Sequence, residues 1–232
     1  MLDERLQPKR TSTTYAVRRP LVEWLRQRAG PAECEHDGLR ILDVGCGARP
    51  YESLFTRADS KYIGCDVPEN PLADVHGLVD DLPVEDASFD LVLCTQVLEH
   101  VPDPAGAVRE LRRVLRPGGR ALVTTHGVAV FHPNPDDLWR WTHSGLEHLF
   151  RDNGEWSSVE VSSGAGSAAT VTMLIAHFTD LLFKRAGVRL LARPVVGALN
   201  VAGEALDRGI PMLREQVPGT VSANYHVEAV AK

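Results

Sequence analysis

The sequence predicts an α/β fold built on a doubly wound, mainly parallel sheet. Nearly continuous apolar runs are typical of parallel strands buried on both faces, and four occur, at residues 40–44, 61–65, 91–94 and 121–124. Between the last two runs, Asp103 and Pro104 are residue types of a helix N-cap and first helical position, and Pro117 follows where that helix should have ended. A strand, a helix and a strand in this order form a βαβ unit, which favours a doubly wound sheet.

Two more helices are predicted from signals near their ends. The segment 19–29 begins with an Arg-Pro pair and is followed by Gly30, which indicates a helix that stops at the glycine. Ser144 and Glu147 have the spacing of a capping box, so a short helix is predicted to begin there and to end near residues 153–154.

A long insertion separates the last two predicted strands, which cover residues 156–161 and 224–231. The insertion has helical periodicity at 167–185 and again at 194–208, and its length exceeds that of an ordinary connection. It is therefore predicted to form a cap or an oligomer surface. The predicted organisation is an N-terminal arm and cap helix at 1–38 and a main domain at 39–232 that includes a helical insertion at 167–215.

The composition fits one compact domain in a reducing compartment. A chain of 232 residues is long enough for one α/β domain with a substantial core. The cysteines show no zinc-type pairing, which favours a cytoplasmic location; they are Cys34, Cys46, Cys65 and Cys94. The net charge of −6 argues against a nucleic-acid partner, because phosphate neutralisation needs a concentrated basic surface. No segment has the uninterrupted apolar length that predicts secretion or stable membrane insertion.

A glycine turn, followed by a strand that ends in an acid, indicates a site for a nucleoside-type cofactor. Gly45 and Gly47 follow the first predicted strand, and Asp66 ends the second, where it is placed to accept hydrogen bonds from a ribose diol. Pro50 stands where a dinucleotide motif has its third glycine. Because proline cannot donate a backbone hydrogen bond, a phosphate-free cofactor such as S-adenosylmethionine is favoured. These residues alone leave open a dehydrogenase or a turn without a ligand.

Three further segments extend this pattern. The chain has Asp-Leu-Pro at 81–83, Leu-Glu-His-Val at 98–101 and Leu-Arg-Pro-Gly-Gly at 115–119. With the Leu-Asp-Val-Gly-Cys-Gly turn at 42–47, they resemble the class I S-adenosylmethionine-dependent methyltransferases, specifically the group that acts on small molecules and lipids. The resemblance implies S-adenosyl-L-methionine as cofactor. It also implies a seven-stranded Rossmann-like sheet in the order 3-2-1-4-5-7-6, with the last strand antiparallel.

The resemblance also assigns cofactor contacts to residues of this chain. Those implied at the methionine end are Asp43, Gly45, Gly47, Thr95 and Gln96, and those at the ribose and adenine are Asp66, Val67, Asp81 and Leu82. One position departs from the family pattern, because Leu78 stands where many relatives have an acid, so Asp80 shares the adenine role with Asp81 as an alternative. Asp43 could instead cap the turn, and Asp66 could be an ordinary acid at a strand end.

Candidate catalytic residues follow the fifth predicted strand, where open α/β sheets bind substrates. His126, His132 and His143 are candidate general bases for an acceptor proton, with His126 first because it directly follows the strand. The alternative is structural: Asp136, Asp137 and Arg140 could form an ion-pair and hydrogen-bond corner anchored by tryptophans. Glu99 and His100 follow the fourth strand and are expected to be structural. A metal bound by His126, His132 and Asp136 is chemically possible, but this spacing matches no known geometry, so no metal is predicted.

The predicted function is methyl transfer from S-adenosylmethionine to an oxygen or nitrogen, less readily to a carbon, of a small molecule. The segment 132–142 is similar to a subset of these enzymes from bacterial secondary metabolism or cell-envelope biosynthesis. The expected partner is a small-molecule acceptor, without nucleic acid, and the insertion leaves open a homodimer with a second copy of the chain. The alternatives are a nicotinamide-dependent oxidoreductase and a binding subunit without catalysis.

Overall fold

The computed structural model describes residues 4–29, 38–57, 59–133 and 135–232. Within these ranges the chain folds around a seven-stranded sheet with helices on both faces. The strands are β1 (Arg40–Val44), β2 (Lys61–Asp66), β3 (Val75–His76), β4 (Phe89–Thr95), β5 (Leu115–His126), β6 (Trp156–Ser163) and β7 (Asn224–Ala231). The α-helices are α1 (Tyr15–Arg28), α2 (Glu52–Phe55), α3 (Pro104–Val114), α4 (His143–Asp152), α5 (Ser167–Arg185) and α6 (Ala192–Gly209).

The sheet topology confirms the predicted fold. The strand order is β3-β2-β1-β4-β5-β7-β6, with β7 antiparallel to both of its neighbours and the other pairs parallel. The order reverses between β1 and β4, so the loops that follow these strands diverge and leave a crevice at their carboxyl ends. The glycine turn after β1 and the segment after β4 both lie at this crevice.

The central strands bury both of their faces, as their apolar runs predict. Successive side chains of a strand point to opposite faces, so Ile41 packs into one core cluster and Leu42 into the other. The cluster around Ile41 includes Leu25 of α1, and the cluster around Leu42 includes Leu111 of α3. All four side chains are fully buried, which fixes the sheet between its two helical layers.

Helix α1 begins four residues earlier than the sequence predicts. It starts at Tyr15 and contains Pro20 in its interior, although proline disfavours such a position. The additional turn buries Ala16 and Val17 in a cluster with Met173 of α5, so tertiary packing outweighs the local preference. The predicted stop at Gly30 lies outside the described residues.

Helix α4 is capped by a different residue from the one predicted. The sequence favoured Ser144, but the N-cap is Thr142, whose hydroxyl accepts a hydrogen bond from the Gly145 amide at 3.1 Å. Glu147 accepts a hydrogen bond from Arg151 one turn later and takes no part in a capping box. The helix ends at Asp152, next to the predicted end.

The insertion between β6 and β7 consists mainly of α5 and α6, which pack against each other. Asp207 of α6 is buried and accepts hydrogen bonds from the Ala168 and Ala169 amides at 2.9 and 3.0 Å, so it satisfies donors at the first turn of α5. The outer side of the pair is exposed and apolar, and Phe178 and Leu182 each keep about two-thirds of their surface exposed. No helix in the described part of the chain combines the length and apolar character needed to cross a membrane.

Candidate cofactor and acceptor site

The turn after β1 requires glycine at its first position. Gly45 has a φ of +70°, and a Cβ there would lie 2.4 Å from the Val97 side chain. Gly47 also has a positive φ, of +53°, which glycine adopts without steric cost. The Gly45 amide donates to the Cys65 carbonyl at 2.9 Å. The turn is therefore held against β2 and presents bare backbone at the end of β1.

Asp66 ends β2 and faces this turn. Its Oδ2 accepts hydrogen bonds from the Gly47 amide at 2.8 Å and from Asn70 Nδ2 at 2.7 Å, and its Oδ1 accepts one from the Val67 amide at 2.8 Å. Cys46 Sγ also lies 4.0 Å from Oδ2. A carboxylate oxygen has about two acceptor sites, so Oδ1, with one donor, keeps capacity for a further one. A hydroxyl of a ribose is such a donor.

Asp43 lies beneath the turn with 1 % of its surface exposed. The Tyr62 hydroxyl donates to Oδ2 at 2.6 Å, whereas Oδ1 is buried with no hydrogen-bond partner in the described part of the chain. Burial raises the pKa of the Asp43 carboxyl to about 7. A buried acceptor without a partner is costly, so an ammonium group or a water bound near Oδ1 would stabilise the ionised form.

The end of β4 has an unusual backbone conformation. Gln96 has a φ of +57°, in the left-handed region that non-glycine residues rarely adopt. Its amide donates to the Thr124 carbonyl at 2.8 Å and its side-chain Nε2 donates to Thr124 Oγ1 at 3.1 Å. Backbone strain of this kind concentrates at functional sites, where the surrounding contacts maintain it.

A group of histidines lies around a buried acid after β4 and β5. Glu99 is fully buried, and its Oε2 accepts a hydrogen bond from Thr125 at 2.8 Å. His126 Nε2 lies 3.4 Å from Glu99 Oε1. The His132 ring lies 4.8 Å from the His100 ring and 5.4 Å from the His126 ring, centroid to centroid. Burial raises the pKa of Glu99 to about 7 and lowers the pKa of His126 to about 4.

An ion pair and two tryptophans hold the loop between β5 and α4, as the structural alternative for this segment predicts. Asp137 accepts hydrogen bonds from Arg140 Nη2 at 2.8 Å and from the His132 amide at 3.1 Å, and the bond from Arg140 lowers the pKa of Asp137 to about 2. Trp139 donates to the Val101 carbonyl at 2.8 Å and stacks on Trp141. These contacts position His132 beside the other histidines.

One cavity connects the two halves of the site. It has a volume of about 780 Å³, within the usual range for small-molecule pockets. The predicted residues that line it are Gly45, Gly47, Asp66, Val67, Thr95, Gln96, His126 and His132. His100 lines it as well, so the glycine turn and the histidines face the same space.

Comparison with known proteins supports the resemblance seen in the sequence. Residues 42–123 match the family model described as a methyltransferase domain. This segment contains the glycine turn, the acid after β2 and the β4–β5 unit described above. Residues 42–123 are therefore similar to a methyltransferase domain, as the sequence resemblance implies.

Curated relatives match this methyltransferase domain over a similar segment. The chain is 33 % identical over 119 residues to a ubiquinone biosynthesis O-methyltransferase of Pseudomonas aeruginosa. The matched segment covers 45 % of this chain and 49 % of the relative. It is also 33 % identical over 126 residues to the protein of the same name from Bordetella avium. That match covers 48 % of this chain and 51 % of the relative. The chain thus spans about half the length of the curated relatives it matches.

Solved structures share the fold of the methyltransferase domain at low identity. A putative sarcosine dimethylglycine methyltransferase from Galdieria sulphuraria has a TM-score of 0.56 at 15 % identity, covering 90 % of this chain and 84 % of that one. The [4+2]-cyclase SpnF has a TM-score of 0.54 at 19 % identity, covering 90 % and 80 %. A cyclase among these neighbours illustrates that the fold does not determine the reaction.

The structure places four of the predicted site residues outside the cavity lining. Asp43 lies behind it. The bridge between Leu78 and Asp81 turns the chain so that residues 77–80 line the cavity, while Leu82 packs into the core and its amide donates to Glu110 at 2.8 Å. His143 forms the first turn of α4, where its Nε2 lies 3.0 Å from the Val161 carbonyl. We therefore expect Leu78–Asp80, and not Asp81 or Leu82, beside an adenine.

Two groups of residues line the cavity although the sequence did not indicate them. Met173 and His177, one turn apart on α5, line it, and so do Thr14, Val17 and Arg18 at the start of α1. The four-residue spacing in α5 could have suggested a shared face. Helical periodicity alone could not show that this face is directed towards the glycine turn, because that depends on how the insertion packs on α1.

Proposed function

We propose that this protein transfers the methyl group of S-adenosylmethionine to an oxygen, with nitrogen as the second choice, of a small molecule. The observation that carries the proposal is the single cavity in which Asp66 and the glycine turn face the same space as His100, His126 and His132. One end has groups suited to an adenosine and the other has groups suited to proton removal.

The residues at the cofactor end fit S-adenosylmethionine. The Asp66 carboxylate has acceptor capacity for a ribose hydroxyl, and Asp43 Oδ1 is a buried acceptor that a methionine ammonium would satisfy directly or through water. Arg18 lines the cavity and would balance the methionine carboxylate. Pro50 also lines the cavity and has no amide to donate to a pyrophosphate, so a phosphate-free cofactor is favoured.

The chain itself would contribute alignment, water exclusion and proton removal. When bound, the sulfonium cofactor supplies an already activated methyl group, so catalysis depends largely on positioning the acceptor for in-line attack. Met173 and Val130 provide apolar walls at the cavity. His126 lines the cavity, and burial lowers its pKa to about 4, so its ring is neutral near pH 7 and is a weaker base than a free imidazole. We assign proton removal to it on its position at the cavity.

An oxygen acceptor is placed first because a hydroxyl must lose its proton and because the curated relatives are named as O-methyltransferases. We extend the proposal to a cytoplasmic enzyme of bacterial secondary metabolism or cell-envelope biosynthesis, on the similarity of segment 132–142 to that subset. A homodimer formed through the exposed apolar side of α5 and α6 completes the proposal, because isolated apolar patches of this kind are usually covered.

Thermal-shift and calorimetric titrations with S-adenosylhomocysteine and NAD test the proposal directly. We expect S-adenosylhomocysteine to raise the melting temperature and to bind in a saturable way, while NAD at the same concentrations does neither. Tight NAD binding without S-adenosylhomocysteine binding would favour the oxidoreductase alternative. Cofactor binding without methylation of any hydroxyl or amine in a broad acceptor panel would favour a binding subunit.

A further inference from the structure

Three side chains at the inner wall of the acceptor end form a set of possible metal ligands. Glu99, His100 and His132 each offer one ligand atom, and these atoms all lie within 4.8 Å of one another. Two imidazoles and one carboxylate form a ligand set that first-row transition metals accept, with other positions left open. His100 and His132 line the cavity, so an open position would face the acceptor.

The buried carboxylate is the observation that points to a ligand. Glu99 has no exposed surface, and its Oε1 has no hydrogen-bond partner among the residues that the structure describes. His126 Nε2 is 3.4 Å away from it, but the two atoms do not have the geometry of a hydrogen bond. A carboxylate in the core with one orphaned oxygen is expensive, and a cation bound to that oxygen would offset the cost.

The groups around the three side chains orient them as outer-shell partners orient metal ligands. Thr125 donates to the other Glu99 oxygen at 2.8 Å, which leaves Oε1 available. His100 Nδ1 contacts the Asp136 carbonyl, so this nitrogen carries the proton and Nε2 keeps its lone pair. The His132 amide donates to Asp137, which fixes the backbone of the loop that carries the third ligand.

We propose that Glu99, His100 and His132 bind a divalent first-row transition-metal ion at the acceptor end of the cavity. Ligand atoms around such an ion lie roughly 3.4 Å apart when each bond is about 2.1 Å. The three ligand atoms now lie within 4.8 Å of one another, so reaching that spacing would require them to approach by at most about 1.4 Å. The Asp136 backbone carbonyl contacts His100, and its side chain is not one of the proposed ligands. The proposed ligand set therefore differs from the combination of His126, His132 and Asp136 that the sequence suggests as chemically possible.

An ion at this position would bind the acceptor hydroxyl and lower its pKa, so that His126 would need to remove a less tightly held proton. This catalytic role rests on the proposed function, whereas ion binding does not. The binding experiment therefore uses neither cofactor nor acceptor, and its failure is separable from a failure of methyl transfer.

The test uses the full chain without an affinity tag, stripped with a chelator and then titrated with Zn²⁺ and with Co²⁺. We expect about one ion per chain by elemental analysis, and Co²⁺ absorption bands typical of nitrogen and oxygen ligands. The variants His100→Ala, His132→Ala and Glu99→Gln should each weaken the affinity at least about 100-fold, since even loss of an outer-shell partner typically costs 10- to 100-fold. The control is His148→Ala, which removes an exposed histidine of α4 and should leave the affinity unchanged.

Circular dichroism separates ligand loss from misfolding in these variants. The wild-type titration is informative even if a variant misfolds. If the wild-type protein binds the ion only weakly, with the same affinity as the three variants, the proposal is wrong. Full affinity in well-folded His100→Ala and His132→Ala proteins would also overturn it.

Discussion

Replacing Asp43 with Asn should flatten the pH dependence of this protein's stability. The carboxyl is 1 % exposed, and this burial raises its pKa from 3.8 to about 7, although the hydrogen bond from Tyr62 acts in the opposite direction. Its other oxygen has no partner among the described residues. Between these two values the folded protein holds a proton on Asp43 that the unfolded chain has released. The folded state therefore binds more protons in this window, and its stability falls as the pH rises through it.

The magnitude follows from the width of the window. A difference of one in pKa corresponds to about 1.4 kcal/mol, so the full interval from 3.8 to about 7 is worth on the order of 4 kcal/mol. Between pH 5 and pH 7 the loss is roughly 2 kcal/mol, and the contribution of Asp43 becomes constant above about pH 8. Asn stays neutral throughout and retains an oxygen that can accept the Tyr62 hydroxyl. Its unpaired amide costs free energy that does not depend on pH.

The assay is urea unfolding of the ligand-free protein at about pH 5, 6, 7 and 8. Other buried groups also titrate, so the useful quantity is the difference between the wild-type and Asp43→Asn curves at each pH. Asp152→Asn, at an exposed acid at the end of α4, is the matched control and should run parallel to the wild type. If the Asp43→Asn curve also runs parallel to the wild type, Asp43 titrates like an exposed acid and the argument from burial is refuted.

Three further changes probe the site. Asp66→Ala should weaken S-adenosylhomocysteine binding by roughly 1.5 to 3 kcal/mol in calorimetry, the range for hydrogen bonds to charged groups, and an unchanged affinity would contradict the ribose assignment. Gly45→Ala should lower the free energy of unfolding by at least about 1 kcal/mol more than Gly118→Ala, because both have positive φ but only the first has a side chain in the way. His126→Gln should lower turnover at least about 100-fold with cofactor affinity retained, whereas His143→Gln, outside the cavity, should not; equal activity of both would rule out His126 as the base.

The sequence predicted those parts of the fold that depend on local patterns. The central strands are apolar on both faces, so their continuous apolar runs can be recognised without knowing which strands lie beside them. Strand β3 has only Val75 and His76, and pairing with the end of β2 defines it, so no apolar run could have revealed it. The early start of α1 was missed because Pro20 disfavours it locally, and the burial of Ala16 and Val17 that outweighs Pro20 is a long-range contact.

The candidate site divides in the same way. Gly45, Gly47 and Asp66 belong to a strand–turn–strand unit whose geometry follows from their spacing, and the structure brings them together at one cavity. The position of Asp81 depends on a bridge to Leu78 that redirects the chain, and no residue pattern indicates it. Glu99 and His132 are 33 positions apart in a chain that returns through α3 and β5, so their proximity appears only in three dimensions.

The placement of β7 has a consequence for the order in which the chain can fold. This strand comes last along the sequence, yet it lies between β5 and β6 and is hydrogen-bonded to both. During synthesis, β6 and α4 leave the ribosome with no strand beside β6 to pair with, and they must wait until α5 and α6 have also emerged. The exposed edge of β5 is a template for unwanted pairing throughout that interval, because unpaired strand edges bind other chains. Newly made protein should therefore depend on chaperones more than its modest size suggests.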